Sequence, residues 1–161
     1  MANTFTQLYV HIVFSVRSRA SLMKDDWREN LHQYITGIVQ NKGHKMIAIN
    51  SMPDHIHIFI GLKPDTALSE LVRDIKANSS KWINEEKMKR GKFSWQEGYG
   101  AFSYSHSQIG EVISYIQHQR DHHRVKSFRE EYVEFLKRFD VPYDPKYICD
   151  IEENSSTEKL Q

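Results

Sequence analysis

The chain has 161 residues, of which 39% are hydrophobic and 27% charged, and a formal net charge of +1. This length fits one globular domain with a sizeable core and leaves little room for a second. The small net charge by itself is no electrostatic signature of a nucleic-acid-binding protein. The lone Cys149 excludes an internal disulfide, no apolar run reaches membrane-spanning length, and the first residues lack a secretory signal, so we expect a cytoplasmic protein.

Charge is unevenly distributed along the chain. Residues 130–161 contain nine acidic and four basic residues, a local charge of −5, which leaves +6 for residues 1–129. A basic body with an acidic tail is compatible with a polyanionic partner, and an excess of this size is also typical of a solvated surface.

The first half of the chain predicts three strands and a helix. Alternating apolar residues indicate a strand over residues 8–16, and apolar residues at helical spacing indicate a helix over 25–42. Two short β-rich runs, 46–51 and 55–62, are joined through Pro53-Asp54, a pair that favours a turn. We therefore expect these two runs to form an antiparallel hairpin.

A helix, a loop and a strand are predicted next. Helical spacing extends over residues 66–87, with Thr66 as a plausible N-cap. A loop rich in glycine and aromatic residues follows at 91–100 and leads into a short strand at 101–104.

Two further helices and a tail complete the prediction. Ser107 is the expected cap of a third helix that carries residues 115–123, and Ser127 opens a capping box for a fourth helix ending near Phe139. We expect a single domain over residues 1–143 and an acidic, partly disordered tail over 144–161.

The order strand, helix, strand, strand, helix, strand is that of a ferredoxin-like (RRM-like) α+β fold. We expect an antiparallel sheet with helices packed on one face, plus the C-terminal helix and the tail. This fold hosts many functions, so it does not by itself indicate one.

The segment His55-Ile56-His57 lies on one of the predicted strands. Alternate residues of a strand point the same way, so both imidazoles project from one face while Ile56 projects from the other. Two neutral imidazoles can bind one divalent ion and leave coordination positions open, as metal-assisted chemistry requires. A pair of packed surface histidines is the alternative interpretation.

The third predicted helix carries Tyr115 one turn before Gln119, with His122 on the same side. A phenol can attack phosphorus when a metal polarises the phosphate, and the Gln119 amide oxygen could act as an uncharged third ligand beside the histidine pair. From spacing alone, Tyr115 could equally be an amphipathic residue at a helix interface, and Gln119 a surface residue.

Together these features resemble the single-tyrosine HUH transposases of small bacterial insertion sequences, the insertion sequence 200-like family. The resemblance extends from Thr6 to about Tyr143. It rests on these blocks: Tyr9-Val10-His11-Ile12-Val13-Phe14-Ser15, Met52-Pro53-Asp54-His55-Ile56-His57, Ile75-Lys76-Ala77-Asn78-Ser79-Ser80, Trp95-Gln96-Glu97-Gly98-Tyr99-Gly100-Ala101-Phe102-Ser103, and Tyr115-Ile116 with Gln119 and His122-His123.

The resemblance implies a metal-dependent reaction on single-stranded DNA with hairpin ends. His55, His57 and Gln119 would hold Mg²⁺ or Mn²⁺, and Tyr115 would attack a phosphate, giving a 5′-phosphotyrosine and a free 3′-hydroxyl that can be rejoined. Family members are homodimers whose active sites combine the histidine pair of one subunit with the tyrosine helix of the other. The resemblance implies a homodimer here, and whether catalysis uses one subunit or two stays open. The roles of His122 and His123 stay open, and His11 is expected to be a structural partner rather than a ligand.

Single-stranded DNA binding combines a cationic track with aromatic groups. The candidate DNA-binding residues are Arg17, Arg19, Arg73, Lys76, Lys81, Lys89, Arg90 and Trp95. Three alternatives to an active transposase remain: a domesticated nuclease of the same family acting on chromosomal repeat hairpins, a non-catalytic nucleic-acid-binding module, and an unrelated metallohydrolase that uses activated water.

Overall fold

A four-stranded antiparallel sheet forms the centre of the computed structural model, which describes residues 3–18, 21–88, 92–123 and 125–148. Its strands are β1 (Tyr9–Ser15), β2 (Lys45–Met52), β3 (His55–Gly61) and β4 (Gly100–Tyr104). They are ordered β2-β3-β1-β4, with each neighbouring pair antiparallel. This order is the ferredoxin-like arrangement that the element sequence predicts.

Two long helices cover one face of the sheet, as expected. They are α1 (Asp25–Asn41) and α2 (Leu68–Glu86). The even-numbered side chains of β1 and β3 point toward these helices because successive residues of a strand alternate. Ile12, Ile56 and Ile58 are completely buried there, in one cluster with Leu31 and Ile75 of the helices.

The opposite face of the sheet is also covered. Three further helices lie there: α3 (Ile109–Gln117), α4 (Gln119–His122) and α5 (Phe128–Arg138). Their apolar residues bury the odd-numbered side chains of β1 and β3, including Val13 and Phe59. The alternation in the first strand predicts one buried face, whereas β1 is buried on both because these later helices pack against it.

Three helix boundaries differ from the sequence prediction. Thr66 is not the cap of α2, which begins after Ala67 without a side-chain cap. Ser107 is not the cap of the third helix either, because Ser105 forms a capping box for the 3₁₀ turn His106–Gln108 that leads into α3. The predicted single helix to residue 123 is interrupted at His118, whose φ of −100° and ψ of 29° are not helical.

Residues 144–148, at the start of the predicted tail, lie against the domain. Pro145–Tyr147 form a 3₁₀ turn, and Ile148, 5% exposed, joins the apolar cluster of Phe128 and Phe135. Residues 149–161 of the predicted, partly disordered tail lie outside the described residues, and the division into domain and tail stays a prediction. Within the described ranges, no helix is long and apolar enough to cross a membrane.

Candidate active site

His55 and His57 project from β3 into the interface between the sheet and helices α3 to α5. Both side chains are completely buried, and their ring centroids are 5.0 Å apart. The alternation of β3 places them on the same face, as the sequence predicts, while the isoleucines on either side of His57 enter the α1–α2 core.

Each of these histidines has its Nδ1 atom tied to a neighbour. His55 Nδ1 lies 2.6 Å from Asp54 Oδ1, and His57 Nδ1 lies 2.7 Å from His11 Nε2. Such outer contacts fix the tautomer and direct the other nitrogen toward a metal ion. His11 is therefore a structural partner of His57, as expected from the sequence, and both Nε2 atoms face the interior of the site.

Tyr115 and Gln119 reach the same place from the opposite side. The Tyr115 ring lies 6.0 Å from the His57 ring, and Gln119 Oε1 lies 3.2 Å from His55 Nε2. Gln119 Nε2 donates a hydrogen bond to the Tyr115 backbone carbonyl at 3.3 Å. The two residues therefore lie on the same side of the site, although the helix is interrupted at His118. One chain thus brings together all four residues that the resemblance assigns to catalysis and metal binding.

Glu131 of α5 lies at the centre of this group, although it is not among the site residues predicted from the sequence. The side chain is 3% exposed, with Oε1 3.1 Å from His57 Nε2 and 3.4 Å from His55 Nε2. The Tyr115 hydroxyl donates to Oε2, and Gln119 Nε2 donates to the same oxygen at 3.3 Å. A signal existed: Glu131 shares the buried stripe of α5 with Phe128 and Phe135 at helical spacing, where an unpaired carboxylate is costly.

His55, His57 and Glu131 could hold a divalent metal ion. Each offers one ligand atom, and these atoms lie within 4.8 Å of one another. Imidazole nitrogen and carboxylate oxygen are common ligands of divalent metals in proteins. The donor set therefore fits the metal that the sequence predicts, with a carboxylate added to the expected ligands.

The pKa values of the site residues depend strongly on one another. Burial would lower the pKa of His55, but its hydrogen bonds to Asp54 and Glu131 raise that pKa to about 9. Burial raises the pKa of Glu131, and the adjacent imidazoles of His123, His55 and His57 outweigh that effect, so the pKa lies far below its usual range. Burial and the adjacent Glu131 charge raise the pKa of Tyr115 above its ordinary value, which keeps the phenol protonated.

His122 and His123 both lie beside the site. The exposed His122 ring is 4.6 Å from the Tyr115 ring, and His123 Nε2 is 3.2 Å from Glu131 Oε2. His123 therefore contacts the carboxylate rather than solvent alone, while His122 covers the outer side of the Tyr115 ring.

The predicted DNA-binding residues are spread over several places. Arg73, Lys76 and Trp95 line one open groove of about 480 Å³, together with the exposed Tyr99. Arg17 and Lys81 are exposed, whereas Trp95 is only 8% exposed and its indole nitrogen donates to a buried serine hydroxyl, Ser79 Oγ, at 2.9 Å. The remaining candidates lie outside the described residues: Arg19, Lys89 and Arg90.

Lys76 holds the floor of this groove in place. Its ammonium donates to the backbone carbonyls of Gln96, at 2.8 Å, and Gly98. Burial lowers its pKa to about 8. The Lys76 ammonium is thus engaged by the loop between α2 and β4.

A ferredoxin-like sheet with a buried histidine pair facing a tyrosine helix defines the class of HUH nucleases. Residues 4–119 match the family described as "Transposase IS200 like". The chain belongs to this IS200-like transposase family. The match includes His55, His57, Tyr115 and Gln119 and ends before Glu131.

Individual relatives agree with this assignment. The chain is 24% identical to the ISDra2 transposase TnpA of Deinococcus radiodurans over 121 residues, which cover 71% of this chain and 86% of that protein. Two solved structures show the same fold. One, described as a transposase from Deinococcus radiodurans, has a TM-score of 0.57 at 20% identity and covers 73% of this chain and 94% of its own. The other, a REP-associated tyrosine transposase bound to a REP hairpin, has a TM-score of 0.58 at 16% identity and covers 75% of this chain and 72% of its own.

Proposed function

We propose that this protein cleaves and rejoins single-stranded DNA with hairpin ends through a covalent bond to Tyr115, as the transposase of a mobile element. The observation that carries the proposal is that Tyr115 lies beside the histidine pair within one chain, 6.0 Å between the rings of Tyr115 and His57. A nucleophile and a metal-binding group so close together are what phosphodiester transesterification requires.

In this proposal His55, His57 and Gln119 hold a divalent ion, Mg²⁺ or Mn²⁺. Such an ion, when bound, polarises the scissile phosphate and stabilises the charge that develops there. Asp54 and His11 keep the two imidazoles in the tautomer that presents Nε2, through contacts of 2.6 and 2.7 Å to Nδ1.

Tyr115 supplies the nucleophilic oxygen. Its Oη forms a bond to phosphorus while the bond from phosphorus to the 3′-oxygen breaks, so the 5′ end stays on the protein and the 3′ end leaves as a hydroxyl that has gained a proton. The phenol proton must leave as the new bond forms, because the pKa of Tyr115 is raised by burial and by Glu131. Attack by the 3′-hydroxyl of another strand reverses the step, so rejoining needs no external energy source.

The test is formation of the covalent adduct. Wild-type protein, Tyr115→Phe and the matched control Tyr132→Phe are incubated with labelled hairpin-bearing single strands and Mn²⁺, then run on a denaturing gel. Tyr132 is another half-buried tyrosine, on α5, without a hydrogen bond to the histidine pair. Label should stay on the wild type and on Tyr132→Phe, and not on Tyr115→Phe. Intact DNA binding without any adduct would leave a non-catalytic binding module, and turnover that ignores Tyr115 would indicate a metallohydrolase.

A second candidate is a domesticated nuclease that acts on chromosomal repeat hairpins. It is favoured by the similarity to the tyrosine transposase whose structure contains a REP hairpin, with a TM-score of 0.58. Adduct yields with hairpins from the ends flanking the gene and with dispersed genomic repeat hairpins separate the two. A mobile element should prefer its own ends, and a domesticated enzyme should prefer the repeats.

A further inference from the structure

Glu131 is a buried carboxylate that the proposed reaction does not require as a ligand. It lies on α5, beyond the residues 4–119 that match the family, so the ligand set implied by that match contains only His55, His57 and Gln119. Burying an ionised carboxylate is costly unless several donors satisfy it. The contacts of its two oxygens must therefore offset the cost of burying the charge.

The Oε1 atom lies where a ligand of the same metal ion would lie. Its distances to the Nε2 atoms of His57 and His55 are 3.1 and 3.4 Å. Donor atoms bound to one ion at about 2.1 Å are separated by roughly 3.0 to 3.4 Å, depending on coordination geometry. The carboxylate oxygen thus already has the spacing of a neighbouring ligand from each of the two nitrogens, and one ligand atom from each of the three residues lies within 4.8 Å of the others.

The Oε2 atom of the same carboxylate contacts side chains of α3 and α4 and of the residue that follows α4. It accepts the Tyr115 hydroxyl and the Gln119 amide, and it lies 3.2 Å from His123 Nε2. These contacts fix the orientation of the carboxylate, because both of its oxygens are engaged. A rotation that removed Oε1 from the histidines would also break the contacts of Oε2.

We propose that Glu131 is an additional, anionic ligand of the active-site metal, and that its carboxylate joins that metal to the nucleophile through Oε1 and Oε2. This inference rests on the proposed function for the role of Tyr115 but not for the metal site. The ligand set is then two imidazoles, an amide and a carboxylate, rather than the all-neutral set expected from the family. The carboxylate strengthens cation binding and holds the phenol next to the phosphate that the ion would polarise.

The test measures metal binding directly, without DNA. Mn²⁺ affinity is determined by titration calorimetry for the wild type, Glu131→Gln and Glu134→Gln. Glu134 is the matched control, since it is a glutamate on the same helix whose side chain is 60% exposed and pairs with Lys126. Glu131→Gln should weaken binding by about 10- to 100-fold or more, because even the loss of an outer partner of a ligand costs that much. Glu134→Gln should stay within about twofold of the wild type.

Mn²⁺ affinity of Glu131→Gln within twofold of the wild type would overturn the inference. Circular dichroism establishes first that the variant is folded. If it is not, Glu131→Asp replaces it, since Asp keeps the charge and withdraws the carboxylate by one methylene, and unchanged affinity there would refute the ligand role equally. Adduct formation with unchanged metal affinity of the variants would leave the proposed function standing and remove only this inference. If Glu131→Gln binds Mn²⁺ more weakly and the wild type forms no adduct, the inference about the metal site would stand and the proposed function would fall.

Discussion

Gly100→Ala tests how closely α5 packs on the sheet. Gly100 begins β4, directly beneath α5. A Cβ at this position would lie 2.6 Å from Tyr132 Cε2 and 3.0 Å from Val13 Cγ1, both closer than normal van der Waals contact. The Tyr132 ring cannot move aside freely, because it stacks on Phe128 with 5.5 Å between ring centroids.

The expected cost follows from two opposing effects. Forcing an extra methyl group into a packed interface typically destabilises a protein by about 1 to 3 kcal/mol. Replacing glycine also reduces the entropy of the unfolded chain, which returns about 0.4 to 1 kcal/mol. Gly100→Ala should therefore lower the free energy of unfolding by about 1 to 2 kcal/mol, measured by urea denaturation with fluorescence detection.

Two comparisons make the result specific. Gly37 lies inside α1, and nothing lies within 4 Å of the place that an alanine methyl group would take, so Gly37→Ala should raise the free energy of unfolding by about 0.5 to 1 kcal/mol. In a Tyr132→Leu background the obstacle is smaller, so the cost of Gly100→Ala should fall, giving a coupling free energy between the sites. An unchanged stability of Gly100→Ala, or an equal cost in both backgrounds, would refute the reasoning.

Three further predictions concern the site, the pH dependence and the groove. Asp54→Ala removes the contact that orients His55, so Mn²⁺ affinity should fall by about 10- to 100-fold in calorimetry. Burial and, after it, the charge of Arg28 lower the pKa of His32 to about 4, so the folded wild type loses stability as the pH falls from about 6.5 to 4. His32→Gln should remove this dependence. In urea titrations over that pH range, the free energy of unfolding of the wild type should therefore fall by roughly 1 to 2 kcal/mol more than that of the variant. Tyr99→Ala should weaken the binding of single-stranded DNA by about 1 to 3 kcal/mol, which is typical for the loss of one contact between a base and an aromatic ring. Fluorescence anisotropy measures this change in affinity.

Each of these predictions has a contrary result. Metal affinity within twofold of the wild type for Asp54→Ala would show that His55 needs no outer partner. Parallel pH profiles for the wild type and His32→Gln would show that the imidazole titrates normally in the folded protein. Unchanged DNA affinity for Tyr99→Ala would place the DNA elsewhere than the groove.

The sheet and the histidine pair could be predicted from the sequence because their signals are local. Period-two alternation around His55 and His57 defines both the strand and the direction of the two side chains. The break at His118 could not be predicted, because no proline or glycine marks it. The capping residue of α3 was misassigned for a related reason, since Ser105 and Ser107 are both acceptable caps by residue type.

Glu131 illustrates a different limit of sequence interpretation. Helical spacing places Glu131 on the apolar side of α5, but a glutamate in the first turn of a helix is also an ordinary favourable charge at that end. Only the tertiary structure reveals that three histidines and a tyrosine surround it. The same applies to Trp95, whose place in a basic, aromatic stretch suggests base stacking but whose ring belongs to the core.

The connection between α4 and α5 limits how two subunits could share a site. Helix α4 ends at His122 and α5 begins at Phe128, so the five residues between them span at most about 20 Å. A subunit that donated its Tyr115 to a partner would therefore carry its own Glu131 along, because the tyrosine hydroxyl and the carboxylate are hydrogen-bonded to each other. Exchange at residues 105–108 would move α3 to α5 as one unit and leave the histidine pair behind.

Mixtures of inactive variants distinguish the two arrangements. Tyr115→Phe mixed with His57→Ala should regain adduct formation only if sites are shared, because one hybrid site would then be intact. Tyr115→Phe mixed with Glu131→Gln should regain none in either arrangement, since both changes lie in the same exchangeable unit. The contacts within one chain lead us to expect no recovery in the first mixture, on the denaturing gel used for the adduct. Recovery there would establish sharing between subunits, and recovery in the second would contradict the movement of α3 to α5 as a unit.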